Sequence, residues 1–290
     1  MSEVLRRAPP VADRLPPQAW FLVSAVFHYL GPSFAVLLFA RLAPVGVAWL
    51  RIASAGVIFA LWRQPWRVFA PLAPRDQGVI VALGTVLAAM NIAFYEAIAR
   101  LPLATVGAIE FLGPIAIAAA GVRTRRNFTA LLLAVAGVSV LTDVRLAGQP
   151  LGYVFAFANC ALFAGYILLG HRISAGGAGM SGVDRLGAAM LVASAAALPF
   201  GLGEVLPAFS DLMLMAAAVG VGVSSSVIPY VCDQLAMHRL PRASFALLLS
   251  LLPASAALIG FLVLRQVPRP AEVLGILLVI EGVALHQAET

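Results

Sequence analysis

The sequence predicts an all-α integral membrane protein with ten transmembrane helices, arranged as two inverted five-helix repeats. First, 62% of the residues are hydrophobic and only 11% are charged, which leaves too few polar groups to cover a water-exposed surface. Second, the apolar runs are about 20 residues long, the length of a membrane-spanning helix and about twice that of a barrel strand. Third, the chain contains an internal repeat, because Arg100-Leu101-Pro102 recurs as Arg239-Leu240-Pro241.

The helices are predicted from these apolar runs, taken in order along the chain. Residues 1–17 carry arginines and four prolines and are predicted to be a short cytoplasmic tail. The ten spans are predicted at residues 18–40, 44–62, 77–99, 102–122, 127–143, 150–170, 186–203, 212–235, 243–264 and 271–288. At about 1.5 Å per residue, most of them are long enough to cross a hydrocarbon core of about 30 Å.

The repeat divides the chain into one five-helix unit at 18–143 and a second at 150–288. An offset of 139 residues, carried from Ala97 to Gly121, gives nine identities in 25 positions. Because five is an odd number, the second unit must begin on the side of the membrane opposite to the first. Inverted repeats of this kind place a substrate site near the bilayer midplane, where the two units meet.

The distribution of arginine predicts the orientation. The chain contains no lysine, and an N-terminus in the cytoplasm places thirteen of its 19 arginines on the cytoplasmic side, five outside and Arg51 within a span. This positive-inside bias predicts that both termini are cytoplasmic. The net charge of +6 is therefore explained by topology, and no soluble basic face points to a nucleic-acid partner.

No motif of an enzyme or of a metal or cofactor site is found. Cys160 and Cys232 fall inside predicted spans without metal-type spacing, and the four histidines are scattered. Nucleophile and zinc motifs are missing, so we expect neither catalysis nor a bound cofactor.

Several motifs resemble those of the threonine/homoserine exporters of the EamA family, in the drug/metabolite transporter superfamily. They are Met90-Asn91, Phe94-Tyr95, Pro102-Leu103, Glu110-Phe111 and Gly113-Pro114 in the first half, and Pro229-Tyr230, Arg239-Leu240-Pro241, Ser250 and Pro253-Ala254 in the second. The resemblance implies a ten-helix inner-membrane exporter of amino acids or similar metabolites, driven by the proton gradient or by the gradient of the substrate.

The chain departs from that resemblance at two carboxylates of the ninth span. Similar exporters usually carry a glutamate before the proline and a Gly-Glu pair at the outer end of the span, whereas this chain has Leu252 and Arg265-Gln266 there. Any part that these carboxylates take in coupling or gating does not carry over to this chain.

Two ionisable residues inside predicted spans are the main site candidates, because a charge in hydrocarbon needs a partner, a wet cavity or a function. Arg51 is the eighth residue of its span and Glu110 the ninth of its own, so both lie about 12 to 13 Å below the outer end. The functional interpretation is that Glu110 binds a substrate ammonium group or a proton, while Arg51 holds a substrate carboxylate or tunes Glu110. The structural alternative is a static ion pair between two helices.

Further polar residues could line the same cavity, although each could instead bond a neighbouring helix. Asn91 and Tyr95 lie one turn apart on one helical face, and Tyr230 occupies the repeat position of Asn91. The remaining binding candidates are His28, Tyr29 and Ser250, and the hinge candidates are Pro114 and Pro253, which would each kink a helix.

The sequence therefore predicts a secondary active transporter, working by alternating access on a small amino acid or related metabolite, with protons as the candidate coupling ion. A multidrug or other metabolite exporter of the same superfamily is the alternative, and a channel is a more distant one. The expected partners are the small-molecule substrate and the lipid bilayer.

Overall fold

The computed structural model describes residues 16–113, 116, 124–143, 149–174, 182–237 and 251–285, and every regular element in these ranges is helical. Most of the predicted N-terminal tail lies outside them. The helices of the first half are α1 (Pro17–Leu38), α2 (Pro44–Arg63), α3 (Pro74–Ile98), α4 (Leu103–Glu110) and α5 (Arg125–Asp143). Those of the second half are α6 (Pro150–Ser174), α7 (Gly182–Gly201), α8, α9 (Leu251–Leu264) and α10 (Pro270–Leu285).

Helix α8 is interrupted. It runs as an α-helix over Leu212–Gly222, continues as a π-helical turn over Val223–Val227 and returns to an α-helix over Ile228–Met237. A π turn contains one more residue than an α-helical turn and shifts the side chains that follow it. Short helical turns at Trp66–Phe69, Gly203–Val205 and Leu206–Phe209 lie in the connections.

Local sequence explains several helix ends. Helices α1, α2 and α3 each begin with a proline, whose fixed φ suits the first turn. Proline lacks a backbone N–H, which costs nothing there because an N–H at the first helical position has no acceptor within the helix. Helix α8 begins after Asp211, whose carboxylate accepts the N–H of Leu214 at 3.0 Å as an N-cap. Helix α2 ends at Gln64, which turns the chain with a left-handed φ of 48°.

Six helices are long and apolar enough to cross a membrane, judged by length and composition. They are Gln18–Leu38, Pro44–Arg63, Pro74–Ile98, Pro150–Gly170, Gly182–Gly201 and Leu212–Asp233. These confirm six of the predicted spans to within a few residues. The predicted fourth and ninth spans include residues outside the described ranges, so the count of ten stays a prediction.

The helices pack through small residues. Helix α2 packs on α7 and α8, α3 on α6 and α7, α1 on α8 and α9, α4 on α6 and α9, and α5 on α10. A Cβ added to Gly84 of α3 would lie 2.6 Å from the carbonyl oxygen of Ala189, and one added to Gly222 of α8 would lie 2.9 Å from that of Arg51. Close backbone approach at glycine is a common basis for association of helices in membranes.

Polar contacts at the ends of the helices join segments that are distant in sequence. Arg41 pairs with Asp211 at 2.8 Å, and Arg63 pairs with Asp184 at 2.7 Å. The N–H of Leu103 donates to the side-chain oxygen of Gln266 at 3.1 Å. Each of these contacts joins two chain segments that the predicted topology places on the same side of the membrane.

Candidate functional site

The site is centred on Glu110, the last residue of α4, whose side chain is 3% exposed. Its Oε1 accepts a hydrogen bond from Nδ2 of Asn159 in α6 at 3.0 Å. Its Oε2 accepts a longer one from the hydroxyl of Tyr29 in α1, at 3.4 Å. Both donors are neutral, so three helices converge on a buried carboxylate that has no directly bonded cation among the described residues.

A glycine allows this convergence. Gly107 lies one turn before Glu110, and a Cβ there would lie 3.1 Å from the Tyr29 hydroxyl and 3.0 Å from the Cβ of Ala256. A larger residue at position 107 would therefore push α1 and α9 away from α4. The glycine keeps Tyr29 within reach of the carboxylate.

Arg51 lies in the same region but binds α8. It is 5% exposed, its Nε donates to the hydroxyl of Ser226 at 2.8 Å, and its Nη2 donates to the carbonyl oxygen of Ser225 at 2.7 Å. Both acceptors belong to the π turn. The guanidinium carbon also lies 5.4 Å from the ring centre of Tyr95, a cation–π distance.

The possible ion pair between Arg51 and Glu110 is not formed in the described structure. Their predicted depths agree. Their side chains nevertheless point to different partners, because Arg51 is held by two groups of the π turn.

The aromatic and amide candidates lie on α3 and α8. Asn91 and Tyr95 are both buried on α3, as their spacing predicted. Asn91 donates to the carbonyl oxygen of Leu87 at 2.8 Å, and Tyr230 is buried on α8. The ring of Tyr230 lies 6.2 Å from that of Tyr166 in α6.

Three buried polar atoms near Glu110 and Arg51 have no hydrogen-bond partner: the hydroxyl of Tyr95, Oδ1 of Asn159 and the hydroxyl of Ser225. Most buried polar atoms in proteins are paired, so unpaired ones call for an explanation. Their positions on α3, α6 and α8, beside two buried charged groups, suit a polar ligand that contacts several helices.

The remaining predicted residues are placed as follows. His28 is half-buried, with its ring centre 5.1 Å from that of Tyr29 in an edge-on contact. Pro253 is buried in α9. Ser250 and Pro114 lie outside the described residues, so their roles stay predictions. Within the described ranges, no group of three or more metal-ligating side chains is close enough to hold an ion.

Sequence reasoning did not pair Asn159 with Glu110 and did not predict the π turn. Asn159 could have been matched to Glu110 by depth, because it is the tenth residue of a span that the topology also runs from outside to inside. The π turn was visible only as three consecutive serines, Ser224 to Ser226, and no local signal in the sequence marked the change of helix type.

Comparisons with known proteins bear on the family. Residues 150–286 match the EamA-like transporter family. The threonine/homoserine exporter RhtA of Escherichia coli strain K12 is 30% identical over 253 residues, covering 85% of this chain and 82% of the exporter. The exporter of the same name from Salmonella typhimurium strain LT2 is 30% identical over 256 residues, covering 86% of this chain and 84% of its own length.

A solved crystal structure of a protein matches the fold, with a TM-score of 0.63 over 92% of this chain and 96% of that one. At 18% identity, this likeness shows the fold alone. Together with the six membrane-length helices, the relatives identify a multi-pass membrane protein. The extent of the match to RhtA and the family match to the second half show that the chain belongs to the EamA-like transporter family.

Proposed function

We propose that the chain is a secondary active transporter that exports small amino acids, of the threonine/homoserine type or related metabolites, by alternating access. In this proposal it spans the cell's inner membrane with ten helices in two inverted repeats, and both termini are cytoplasmic. The relatives named above support transport as the activity.

A reciprocal contact between α5 and α10 supports the inverted repeat. A Cβ on Gly137 would lie 2.5 Å from the carbonyl oxygen of Gly275, and one on Gly282 would lie 2.6 Å from that of Ala130. When Gly137 is aligned with Gly282, each glycine meets the residue seven positions before the other. Reciprocal contacts of this kind are expected when a two-fold axis relates the two helices. Inverted repeats require such an axis.

The main support for an amino acid as substrate is the buried carboxylate of Glu110, which is bonded only to neutral donors. A charge in such a place is costly unless a cation joins it. A primary ammonium group carries three donors, which could bond Glu110 and also the unpaired Oδ1 of Asn159. An α-amino acid supplies such a group.

The other end of an amino acid is a carboxylate, for which Arg51 is the nearby cation. Its guanidinium lies against Tyr95, and the hydroxyls of Tyr95 and Ser225 are unpaired. Guanidinium and hydroxyl groups are natural donors to a carboxylate. The site therefore offers groups for both ends of a zwitterion, with the acceptors on α4 and α6 and the donors on α2, α3 and α8.

Proton coupling follows from the same carboxylate. In the proposed cycle Glu110 binds either the substrate ammonium group or a proton, so that proton entry from outside accompanies release of substrate. Neutral partners suit both states, because Tyr29 and Asn159 can reorient when Glu110 gains a proton.

The test is counterflow of radiolabelled threonine and homoserine in proteoliposomes containing Glu110→Gln. We expect transport by the wild type to vary with pH, and the variant to lose that dependence while remaining folded. Glu281→Gln is the matched control, since Glu281 is an exposed glutamate of α10, away from the site. Unchanged pH dependence in Glu110→Gln would remove this residue from coupling.

A multidrug exporter is the second candidate, favoured by the aromatic rings that follow one another near the site. Successive centroid distances are 6.4, 5.9 and 6.2 Å along Phe111, Phe163, Tyr166 and Tyr230. Cationic dyes in the same counterflow assay separate the two, because an aromatic-lined dye site would work without Glu110. Planar-bilayer recording would detect a channel, whose currents exceed any carrier flux.

A further inference from the structure

A cavity of about 440 Å³ lies away from Glu110, between the α3–α4 connection and the α9–α10 connection. Arg100–Pro102 line one wall and Gln266–Pro268 the other. Each half of the chain therefore contributes one connection. The volume is in the range of small-molecule sites, and the proposed topology places both connections on the outer side of the membrane.

The polar groups that line this cavity include several unused hydrogen-bond donors. Thr105 is 1% exposed and contributes a hydroxyl to the lining. Gln266 uses its oxygen to accept from Leu103, which leaves its amide NH2 for another acceptor. Arg100 uses Nη1 for the carbonyl oxygen and the carboxylate of Glu96, and its guanidinium lies 5.3 Å from the Phe155 ring centre.

The one carboxylate that lines the cavity is already engaged. Glu272 is 4% exposed, and its Oε2 accepts the N–H of Arg269 at 2.9 Å, at the start of α10. Beside this carboxylate, the walls offer hydrogen-bond donors from an arginine, an amide and a hydroxyl. These groups suit an anion, and an arginine with an amide suits a planar carboxylate.

The cavity is separated from Glu110. Thr105 lies five residues before Glu110 on α4, roughly 7.5 Å along the helix axis. Between them, Gly107 packs so tightly against Tyr29 and Ala256 that even a Cβ would be crowded. A ligand in the cavity therefore does not contact the Glu110 carboxylate in this conformation.

We propose that this cavity is a second site, which binds the carboxylate group of an amino acid from the outer side of the membrane. The identity of the ligand as an amino acid, and the outward direction, rest on the proposed function. An exported molecule leaving Glu110 would pass this site, and a high external concentration would keep it filled and slow further release. Gln266 matters in particular, because its bond to Leu103 uses the oxygen and leaves the amide NH2 for a carboxylate.

Chemical protection tests the site without requiring transport. Val267 lines the cavity and is 71% exposed, so Val267→Cys should react with a membrane-impermeant maleimide added outside. The native cysteines are only 8% and 4% exposed and should react slowly. Threonine or acetate at about four times its Kd should slow labelling roughly fivefold, whereas methylammonium should leave the rate unchanged.

Variants then assign the effect to named groups. Gln266→Glu keeps the oxygen that accepts from Leu103 and replaces the free NH2 by negative charge, so we expect protection by acetate to weaken about tenfold or more. Thr105→Val removes one donor with little change in shape and should weaken it several-fold. Gln149→Glu makes the same change of charge at an exposed outer position away from the cavity and should retain protection.

Three results would overturn the inference: no labelling of Val267→Cys from outside, equal protection by methylammonium and acetate, or equal protection in Gln266→Glu and Gln149→Glu. Measuring protection and threonine counterflow side by side with Glu110 unchanged separates this inference from the proposed function. Protection by acetate that persists without threonine counterflow would contradict amino-acid export and keep the second site. Threonine counterflow without protection would contradict the second site alone.

Discussion

The reciprocal contact of α5 and α10 predicts that two distant glycines respond alike to the same substitution. In Gly137→Ala the new Cβ would lie 2.5 Å from a carbonyl oxygen, and in Gly282→Ala 2.6 Å from another, whereas ordinary contacts begin at 3.4 Å. The backbones must therefore separate by about 0.9 Å and 0.8 Å respectively. Overpacking of this kind typically costs about 1–3 kcal/mol, partly offset by up to about 1 kcal/mol of better helix propensity.

The assay is thermal unfolding of the purified protein in detergent. We expect each variant to lower the midpoint by roughly 3–6 °C, with the two values within about 2 °C of each other. Gly220→Ala is the matched control, because nothing lies within 4 Å of a Cβ at that helical position, and its midpoint should not fall. If only one of the two variants were destabilised, the two-fold relation would be refuted. If neither fell below Gly220→Ala, the close packing itself would be refuted.

Three further predictions concern single contacts. Asn159→Leu removes the 3.0 Å bond to Glu110 and should lower the initial transport rate in proteoliposomes at least about tenfold. Tyr29→Phe removes only the 3.4 Å bond and should lower this rate less. A larger loss of rate in Tyr29→Phe than in Asn159→Leu would contradict the site. Ser226→Ala leaves one donor of the buried Arg51 without its acceptor and should cost about 1–3 kcal/mol, measured as a lower unfolding midpoint than in Ser224→Ala. The N–H of Leu214 and the Arg41 guanidinium lower the pKa of Asp211 below its usual 3.8. This carboxylate therefore stabilises the fold at neutral pH and loses that effect as the pH falls through its lowered pKa. Asp211→Asn should be less stable than wild type at pH 7, and the difference in stability should disappear below about pH 4. A difference in stability that does not change with pH would contradict this.

The helix positions could be predicted from the sequence because a bilayer requires long apolar runs. The second span was predicted at 44–62 and is observed at Pro44–Arg63, and the third was predicted at 77–99 and is observed at Pro74–Ile98. The level of the site is predicted in the same way, because counting residues from a helix end gives depth. Matched depth predicts Arg51 and Glu110 in one layer of the membrane.

Depth does not give the direction in which a side chain points, and this limited the prediction of the site. Arg51 reaches the π turn and Glu110 reaches Asn159, which left the direct ion pair unformed. The direction is decided by helix rotation, which depends on close contacts such as that of Gly107 with Tyr29. In a sequence rich in alanine, leucine and glycine, many positions could provide such contacts, and the pattern of residue types does not select among them.

The π turn of α8 accounts for a change of register between the two proposed repeats. Gly84 packs on the carbonyl of Ala189, and Gly222 packs on that of Arg51. These equivalent contacts pair Gly84 with Gly222 and Arg51 with Ala189, at an offset of 138 residues.

Beyond the π turn the offset is 139, as between Asn91 and Tyr230. In the proposed duplication, Val223–Val227 therefore holds one inserted residue that the first copy lacks. The inserted turn supplies the acceptors for Arg51, and the position equivalent to Arg51 in the second copy is occupied by alanine. In that duplication one half carries the cation and the other half its acceptors, so a change in either half leaves buried polar groups of the other without partners.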